Sequence, residues 1–434
     1  MKIKLLHLLY PVIAIAFIGC GDDYKWDTNN VSALDGKYET RDKSLDVNEA
    51  EQQKIIESMT QRFLYANNGV AGVAITIMKE DKSTINLAYG CAKLKSDVEE
   101  SGILSYETGD KDNCEEVLTV QNRFKLGSLT KTVVGRTILD IDDDSNYDFS
   151  LEDPVTKHLP DDILALGSLS GIKIKHLLFH TSGLNKIDFQ PGTVEEVIKK
   201  VLARKRLGKP GQYYKYNNAG YIILGEVVKF VTKADSWEGE LQKRLNESLG
   251  ANSFIFPEPA NPSWLQTEDN SWLSGVSRTL IDGNQSLTTG YVIGENFTSV
   301  LEASGADIAH ASGSVIGNIL DVNRWMNDLV TNNSGLLSKD YFEKEVMQTH
   351  YGDDYISHLT WNMGPGLGFE QNENAFFHLG AIVGYSCMSL YSKNEKVTIT
   401  TCLNGSGSLI HFPYEVLNEI YPYRKAYIPT ASAH

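Results

Sequence analysis

Ser128-Leu129-Thr130-Lys131 sets a hydroxyl and an amine three residues apart, at the start of a stretch with helical patterning. On a helix that spacing is one turn, so both groups share a face. A serine hydroxyl attacks a carbonyl poorly until a base takes its proton. A lysine near its ordinary pKa of ~10.4 is almost fully protonated at pH 7, so the pair becomes reactive only where burial or a nearby cation lowers that value. The helix start adds unpaired backbone N–H groups that favour developing negative charge. Nucleophilic attack with lysine as base is the chemistry this spacing permits. The same four-residue pattern also occurs at ordinary solvated helix starts.

Two later segments carry groups that could complete such a site. Tyr216-Asn217-Asn218 follows Lys209-Pro210-Gly211-Gln212, and His378-Leu379-Gly380-Ala381 falls on a strand pattern near the end. Taken alone, Tyr216 reads as a turn aromatic and His378 as a strand histidine. His176 and His180 are four apart like a pair of zinc ligands, but Leu177 stands where a metalloprotease helix carries its glutamate. They read instead as ties between a helix and the following turn. His310, before Ala311-Ser312-Gly313-Ser314, reads as a structural turn near a cleft. A G-x-S-x-G elbow and a P-loop are missing, so α/β-hydrolase and nucleotide-binding readings have no anchor. No cysteine spacing makes a zinc site, and nucleophilic serine chemistry of this kind is expected to need neither a metal nor an organic cofactor.

In the order Ser128-x-x-Lys131, Tyr216-x-Asn218, His378-x-Gly380 the chain resembles the serine β-lactamase-like and penicillin-binding-protein-like family. Its members include class C β-lactamases, DD-peptidases, esterases and D-aminopeptidases. Connecting phrases support the resemblance: Leu151-Glu152-Asp153-Pro154-Val155, His158-Leu159-Pro160, His176 through Leu184, Pro210-Gly211, and Gly366-Leu367-Gly368-Phe369. It covers about residues 50–425 and leaves out an insertion near 92–118 and a segment near 255–300. The resemblance implies Ser128 as nucleophile, with Lys131 and Tyr216 sharing the role of base in an order it leaves open. It further implies that Tyr216 protonates the leaving group and that Asn218 holds Lys131 and the substrate amide. Backbone N–H groups of Ser128 and Ala381 would form the oxyanion hole, with His378 and Gly380 lining the substrate site.

One departure bears on substrate. Where relatives place a threonine hydroxyl that helps bind a terminal carboxylate, this chain has Leu379, and His378 replaces a permanent lysine cation. The expectation is an ester or amide (peptide-like) substrate and poor β-lactamase activity. The alternatives are a DD-carboxypeptidase or β-lactamase proper, and a catalytically silent lipoprotein that binds cell-wall peptides.

The elements that must position these groups follow from hydrophobic periodicity. Asn48 to Asn67 reads as an amphipathic helix; Ala71 to Met78 and Ile85 to Tyr89 read as a hairpin. Residues 125–345 read mainly as helical patches between Gly, Asn, Ser and Pro turns. Strand patterns return at Gly366–Phe369, Ala375–Leu379, Gly384–Tyr391 and Val397–Cys402, before a helix at Pro413–Ile420. The fold class is therefore α+β: one antiparallel sheet closed by both ends of the chain, flanked by helices, with a helical lobe inserted between its halves. The hydrolase domain is placed at 48–425, with a tail at 426–434.

The first residues are of another kind. Lys2 and Lys4 precede an apolar run from Leu5 to Ile18 that ends at Gly19-Cys20 and the polar Gly21-Asp22-Asp23. The run is short for a bilayer span and fits a signal peptide over 1–19. Its end resembles a bacterial lipobox, which implies a lipid on Cys20, a tether over 20–47 and an exported protein, with the outer membrane favoured. The alternative is an ordinary signal peptide with a chance cysteine.

The other cysteines, Cys91, Cys114, Cys387 and Cys402, are even in number. Export would allow Cys91 to pair with Cys114 and Cys387 with Cys402, across a turn at Asn394-Glu395; four free thiols is the alternative. The balance of 56 acidic against 40 basic residues, net −16, repels phosphate backbones and argues against nucleic acid as a partner. The partners expected are a small-molecule or peptide substrate and the membrane that carries the lipid, with no obligatory protein partner.

Overall fold

The computed structural model describes residues 48–67, 70–95, 111–186, 193–212, 214–251, 253–254, 288, 290–293, 300–303, 306–346, 350–352, 355–357, 375–382, 384–393, 395–405, 409 and 412–421. The segment expected to carry a signal peptide and a lipid on Cys20, the expected tether, the strand expected at Gly366–Phe369 and the expected tail lie outside the described residues. Along the chain run helices α1 (Glu49–Ala66), α2 (Thr130–Asp143), α3 (Ile174–Leu178), α4 (Val194–Leu202), α5 (Asn218–Thr232), α6 (Trp237–Leu249), α7 (Ile319–Thr331) and α8 (Phe412–Ile420). The strands are β1 (Val70–Met78), β2 (Thr84–Leu94), β3 (Cys114–Val117), β4 (Arg123–Lys125), β5 (Gly290–Ile293), β6 (Val300–Ala303), β7 (Ile316–Asn318), β8 (His350–Gly352), β9 (Tyr355–Ser357), β10 (Ala375–Ile382), β11 (Tyr385–Ser392) and β12 (Val397–Gly405).

Asn48 starts α1 by accepting from Glu51 N at 3.0 Å, which satisfies one of the free donors of a helix start. The apolar stripe Ile56, Met59, Phe63, Leu64 is buried, and Phe63 meets Phe412 of α8 with ring centroids 4.5 Å apart. The main sheet is antiparallel, in the order β10-β11-β12-β1-β2-β3. β1 pairs with β12 in the register Ile75 to Thr401, so the first and last of the described strands are neighbours at the sheet's centre. Every residue of β1 and of β12 is buried, as expected of strands covered on both faces. Helix α7 is tied to them by polar contacts: Asn323 Nδ2 lies 3.2 Å from Thr76 O and 3.1 Å from Thr398 O, and Asn327 Nδ2 donates to Thr398 Oγ1 at 2.8 Å.

Both expected cysteine pairs are bonded, Cys91 to Cys114 across β2 and β3, and Cys387 to Cys402 at directly opposed positions of β11 and β12. The middle of the chain is less purely helical than its sequence pattern suggests. Among the described residues it also contains the β4–β7 pair and the β5–β6 ribbon. Strands of three or four residues are too short to display an alternation, so periodicity passes over them. Helix α5 is the lobe's centre, with Ala219 through Gly225, Val227 and Val228 buried against α2, α3, α4 and α6. Its approach to the 306–312 segment is close: a Cβ on Gly225 would stand 2.7 Å from Ala311 Cβ.

Candidate active site

The segment from β4 into α2 carries Ser128. Leu126 N donates to Val315 O at 2.8 Å, and Thr130 Oγ1 accepts from Val315 N at 3.0 Å, so the turn is pinned on both sides. Gly127 has φ +52°, a conformation glycine takes without steric penalty, and a Cβ there would sit 2.8 Å from Ala381 N. From the other side, a Cβ on Gly380 would sit 2.0 Å from Leu126 O. The two glycines thus let the backbone of β10, an edge strand of the main sheet, touch the turn that presents the serine. Ser128 and Ala381 are brought together by this contact.

Lys131, one turn on in α2, is 1% exposed. Its Nζ donates to Ser128 Oγ at 3.0 Å and to the Ser312 carbonyl at 2.6 Å. Tyr216 OH donates to the same Ser128 Oγ at 2.8 Å. Lys131 Nζ also stands 4.9 Å from the Tyr216 ring centroid. The three side chains therefore converge on one oxygen from α2 and from the residue two before the start of α5.

The two asparagines after Tyr216 stand at the start of α5. Asn217 caps α5, its Oδ1 accepting from Gly220 N at 3.1 Å, while its Nδ2 donates to Leu184 O at 2.8 Å and Asn185 O at 3.0 Å. Asn218 is the first, half-buried residue of α5. Lys131 Nζ, one turn after the serine, is held by the Ser312 carbonyl. A kink at His310 (φ 45°, ψ −142°) precedes Ser312, whose carbonyl faces the lysine and whose hydroxyl donates to Ala309 O at 2.6 Å. His310 is thus the turn residue its sequence context suggested, its carbonyl accepting from Gly313 N and Ser314 N. Ser312, Gly127 and Asn217 are contributors the sequence did not single out. A backbone carbonyl leaves no mark on sequence, whereas the glycine before the serine was a usable signal.

His378 lies on β10 and is 3% exposed. Its Nδ1 bonds the Leu379 carbonyl at 2.9 Å. Burial first, and the Lys131 charge second, push its pKa down to about 3, against the pull of that hydrogen bond. The imidazole is neutral at physiological pH and supplies no cation. Leu379 and Ala381 alternate with it along the strand and are half-buried. His176 and His180 both serve backbone groups: His176 Nδ1 accepts from Lys173 N at 3.1 Å, and His180 Nδ1 from Asn217 N at 3.0 Å. Among the described residues no group of three His, Cys, Asp or Glu side chains could hold a metal ion. No helix among them is long and apolar enough to cross a membrane.

The family model described as Beta-lactamase matches residues 51–413. The chain belongs to the β-lactamase family. It is similar to protein flp of Staphylococcus aureus strain N315, 27% identical over 196 residues that cover 43% of this chain and 34% of that protein. The chain spans about a third of the length of the curated relatives it matches. Its fold is similar to that of the D-amino acid amidase from Ochrobactrum anthropi SV3 complexed with L-phenylalanine amide (TM-score 0.63, 16% identity, 86% of this chain and 99% of that one). It is also similar to the octameric penicillin-binding protein homologue from Pyrococcus abyssi (TM-score 0.59, 19% identity, 86% and 80%). A third neighbour is the D-stereospecific amidohydrolase from Streptomyces sp. (TM-score 0.59, 17% identity, 85% and 99%). The β-lactamase/transpeptidase fold, α+β with an antiparallel sheet flanked by helices, is thereby established for this β-lactamase-family chain.

Proposed function

We propose that this β-lactamase-family chain is a serine hydrolase that turns over an ester or amide through an acyl-enzyme on Ser128. The observation that carries the reading is the convergence of Lys131 Nζ and Tyr216 OH on Ser128 Oγ, at 3.0 and 2.8 Å. As Oγ bonds to the substrate carbonyl carbon, its proton passes to the Lys131–Tyr216 pair; the two groups are coupled and act as one base. The oxyanion that forms faces the Ser128 and Ala381 N–H groups, each such donor contributing about 3–4 kcal/mol to the transition state. Collapse breaks the bond to the leaving group, which takes a proton from Tyr216. Water then attacks the acyl carbonyl as the pair takes one of its protons, and collapse breaks the bond to Oγ, which takes that proton back and frees Ser128. Asn218, at the start of α5, would contact the substrate amide.

A neutral His378 and the apolar Leu379 leave β10 without a cation or hydroxyl for a terminal carboxylate. We therefore favour ester or amide substrates over β-lactams, in keeping with the two amidohydrolases among the fold neighbours. The signal segment and Cys20 support export and lipid anchoring, with the outer membrane favoured. The deciding experiment is intact-protein mass after treatment with a fluorophosphonate, with and without excess benzylpenicillin, for wild type and Ser128→Ala. Labelling that needs Ser128 and resists penicillin is expected. Protection by penicillin would favour a DD-carboxypeptidase or β-lactamase, and a folded protein that never labels would be a binding protein.

A further inference from the structure

We infer that His180 is a positioning residue that sets the Tyr216 hydroxyl against Ser128, an inference that rests on the reading of Tyr216 as proton carrier. His180 lies just beyond α3 with φ +57°, a left-handed conformation uncommon outside glycine. From there it grips three consecutive residues. Its carbonyl accepts from Lys215 N at 2.8 Å, and its Nδ1 accepts from Asn217 N at 3.0 Å. Between those two bonds its ring stacks on the ring of Tyr216, centroids 4.5 Å apart and planes 29° from parallel. The residue before the tyrosine, the residue after it and the phenol itself are all held by one side chain and its own backbone.

The chemistry of these contacts fixes the state of the imidazole. A ring nitrogen that accepts from an N–H carries no proton, so the neutral ring is protonated at Nε2. Strain follows the same logic: a non-glycine residue persists in the left-handed region only where its surroundings over-determine it, and such residues gather at functional sites. Tyr221 and Tyr214 enclose the ring further, at 5.2 and 5.7 Å. A phenol hydroxyl stands at the far end of a long side chain, so a small tilt of the ring moves it by the ~1 Å that costs about 100-fold in rate. Holding the ring is therefore a catalytic requirement even though His180 contacts no reacting atom.

The test separates the acceptor from the stacked ring. His180→Phe keeps an aromatic ring and removes Nδ1; His180→Asn removes the ring and leaves an oxygen close to the Nδ1 position. Turnover of a 4-nitrophenyl ester, whose leaving group needs no proton, is compared with that of a matched 4-nitroanilide. For His180→Phe the anilide is expected to fall by about 100-fold, at least ~10-fold more than the ester, and His180→Asn to recover part of that loss. Equal losses on both substrates, or no loss on either, would overturn the proposal. Crystal structures supply a readout that needs no turnover: the Tyr216 Oη to Ser128 Oγ distance is expected to open from 2.8 Å to beyond hydrogen-bond reach in His180→Phe. An unchanged distance would overturn the proposal too. Should Ser128→Ala still hydrolyse the ester, the acyl-enzyme reading fails while this distance still judges His180.

Discussion

The Ser312 carbonyl accepts a hydrogen bond from Lys131 Nζ at 2.6 Å, joining groups 181 residues apart in the chain. It gives the buried amine a fixed acceptor besides Ser128 Oγ, so the direction of the lysine is set before any substrate arrives.

Lys131→Met should remove the base and leave that carbonyl without its donor. Fluorophosphonate labelling is expected to slow by at least ~100-fold. Urea unfolding should report a loss of about 1–3 kcal/mol for a buried acceptor left unpaired. Labelling at the wild-type rate in folded Lys131→Met would remove Lys131 from the chemistry.

Gly380→Ala tests the contact between β10 and the serine turn. The added methyl would lie 2.0 Å from Leu126 O, a backbone atom that no side-chain rotation can relieve. Overpacking of this kind costs about 1–3 kcal/mol. Because the strand must back away from Ser128, ester turnover should fall at least ~10-fold while the protein remains folded at 25 °C. Unaltered melting and turnover together would mean the strand has room to spare.

The pH dependence of stability has two opposed contributors. His378 has a folded pKa of about 3 against an ordinary 6.5, so below 6.5 the unfolded chain binds a proton that the folded chain refuses. Its stabilisation is whole above pH 6.5 and is lost as the pH falls toward 3. Asp140, raised by burial to about 6 despite the adjacent Arg136, acts the other way: its favourable contribution is whole below pH 3.8 and is lost as the pH rises through 6. Denaturant midpoints measured from pH 3 to 7 should lose part of their rise with pH in His378→Gln. In Asp140→Asn the rise should steepen. Parallel curves for all three proteins would contradict both assignments.

The two disulfides can be weighed separately. Each closes a modest loop, of sequence separation 23 for Cys91–Cys114 and 15 for Cys387–Cys402, and chain entropy sets the stabilisation at about 3 kcal/mol for such loops. The paired replacements Cys91→Ser with Cys114→Ser, and Cys387→Ala with Cys402→Ala, should each lower unfolding free energy by about that much. Labelling of Ser128 in the folded fraction should persist without Cys91–Cys114, which joins β2 to β3. Cys387 is paired with Gly380 of the site, so loss of the second bridge should slow labelling as well.

Much of this architecture was legible in the residues themselves. The β1–β2 hairpin and the opposition of Cys387 and Cys402 follow from local alternation around a turn, a signal that short-range physics writes directly into sequence. Ser128 and Lys131 could be paired because one helical turn does the pairing. What escaped was set by distance. Ser312 acts through its backbone, and Asn217 outranks its neighbour as an anchor only because Leu184 and Asn185 happen to fold beneath it. The strands β4 and β7 stabilise each other across the lobe, and neither is long enough to announce itself alone.

The pairing of β1 with β12 has a consequence for biosynthesis. Val70 waits for Gly405 before its strand acquires its second neighbour, so synthesis must pass residue 405 before the sheet can be completed. A product truncated just before residue 397 would retain Ser128, Lys131, Tyr216 and His378 and yet lack the strand that joins the two halves of the sheet. A premature stop far downstream of the nucleophile would therefore leave β1 and β11 without the strand that lies between them.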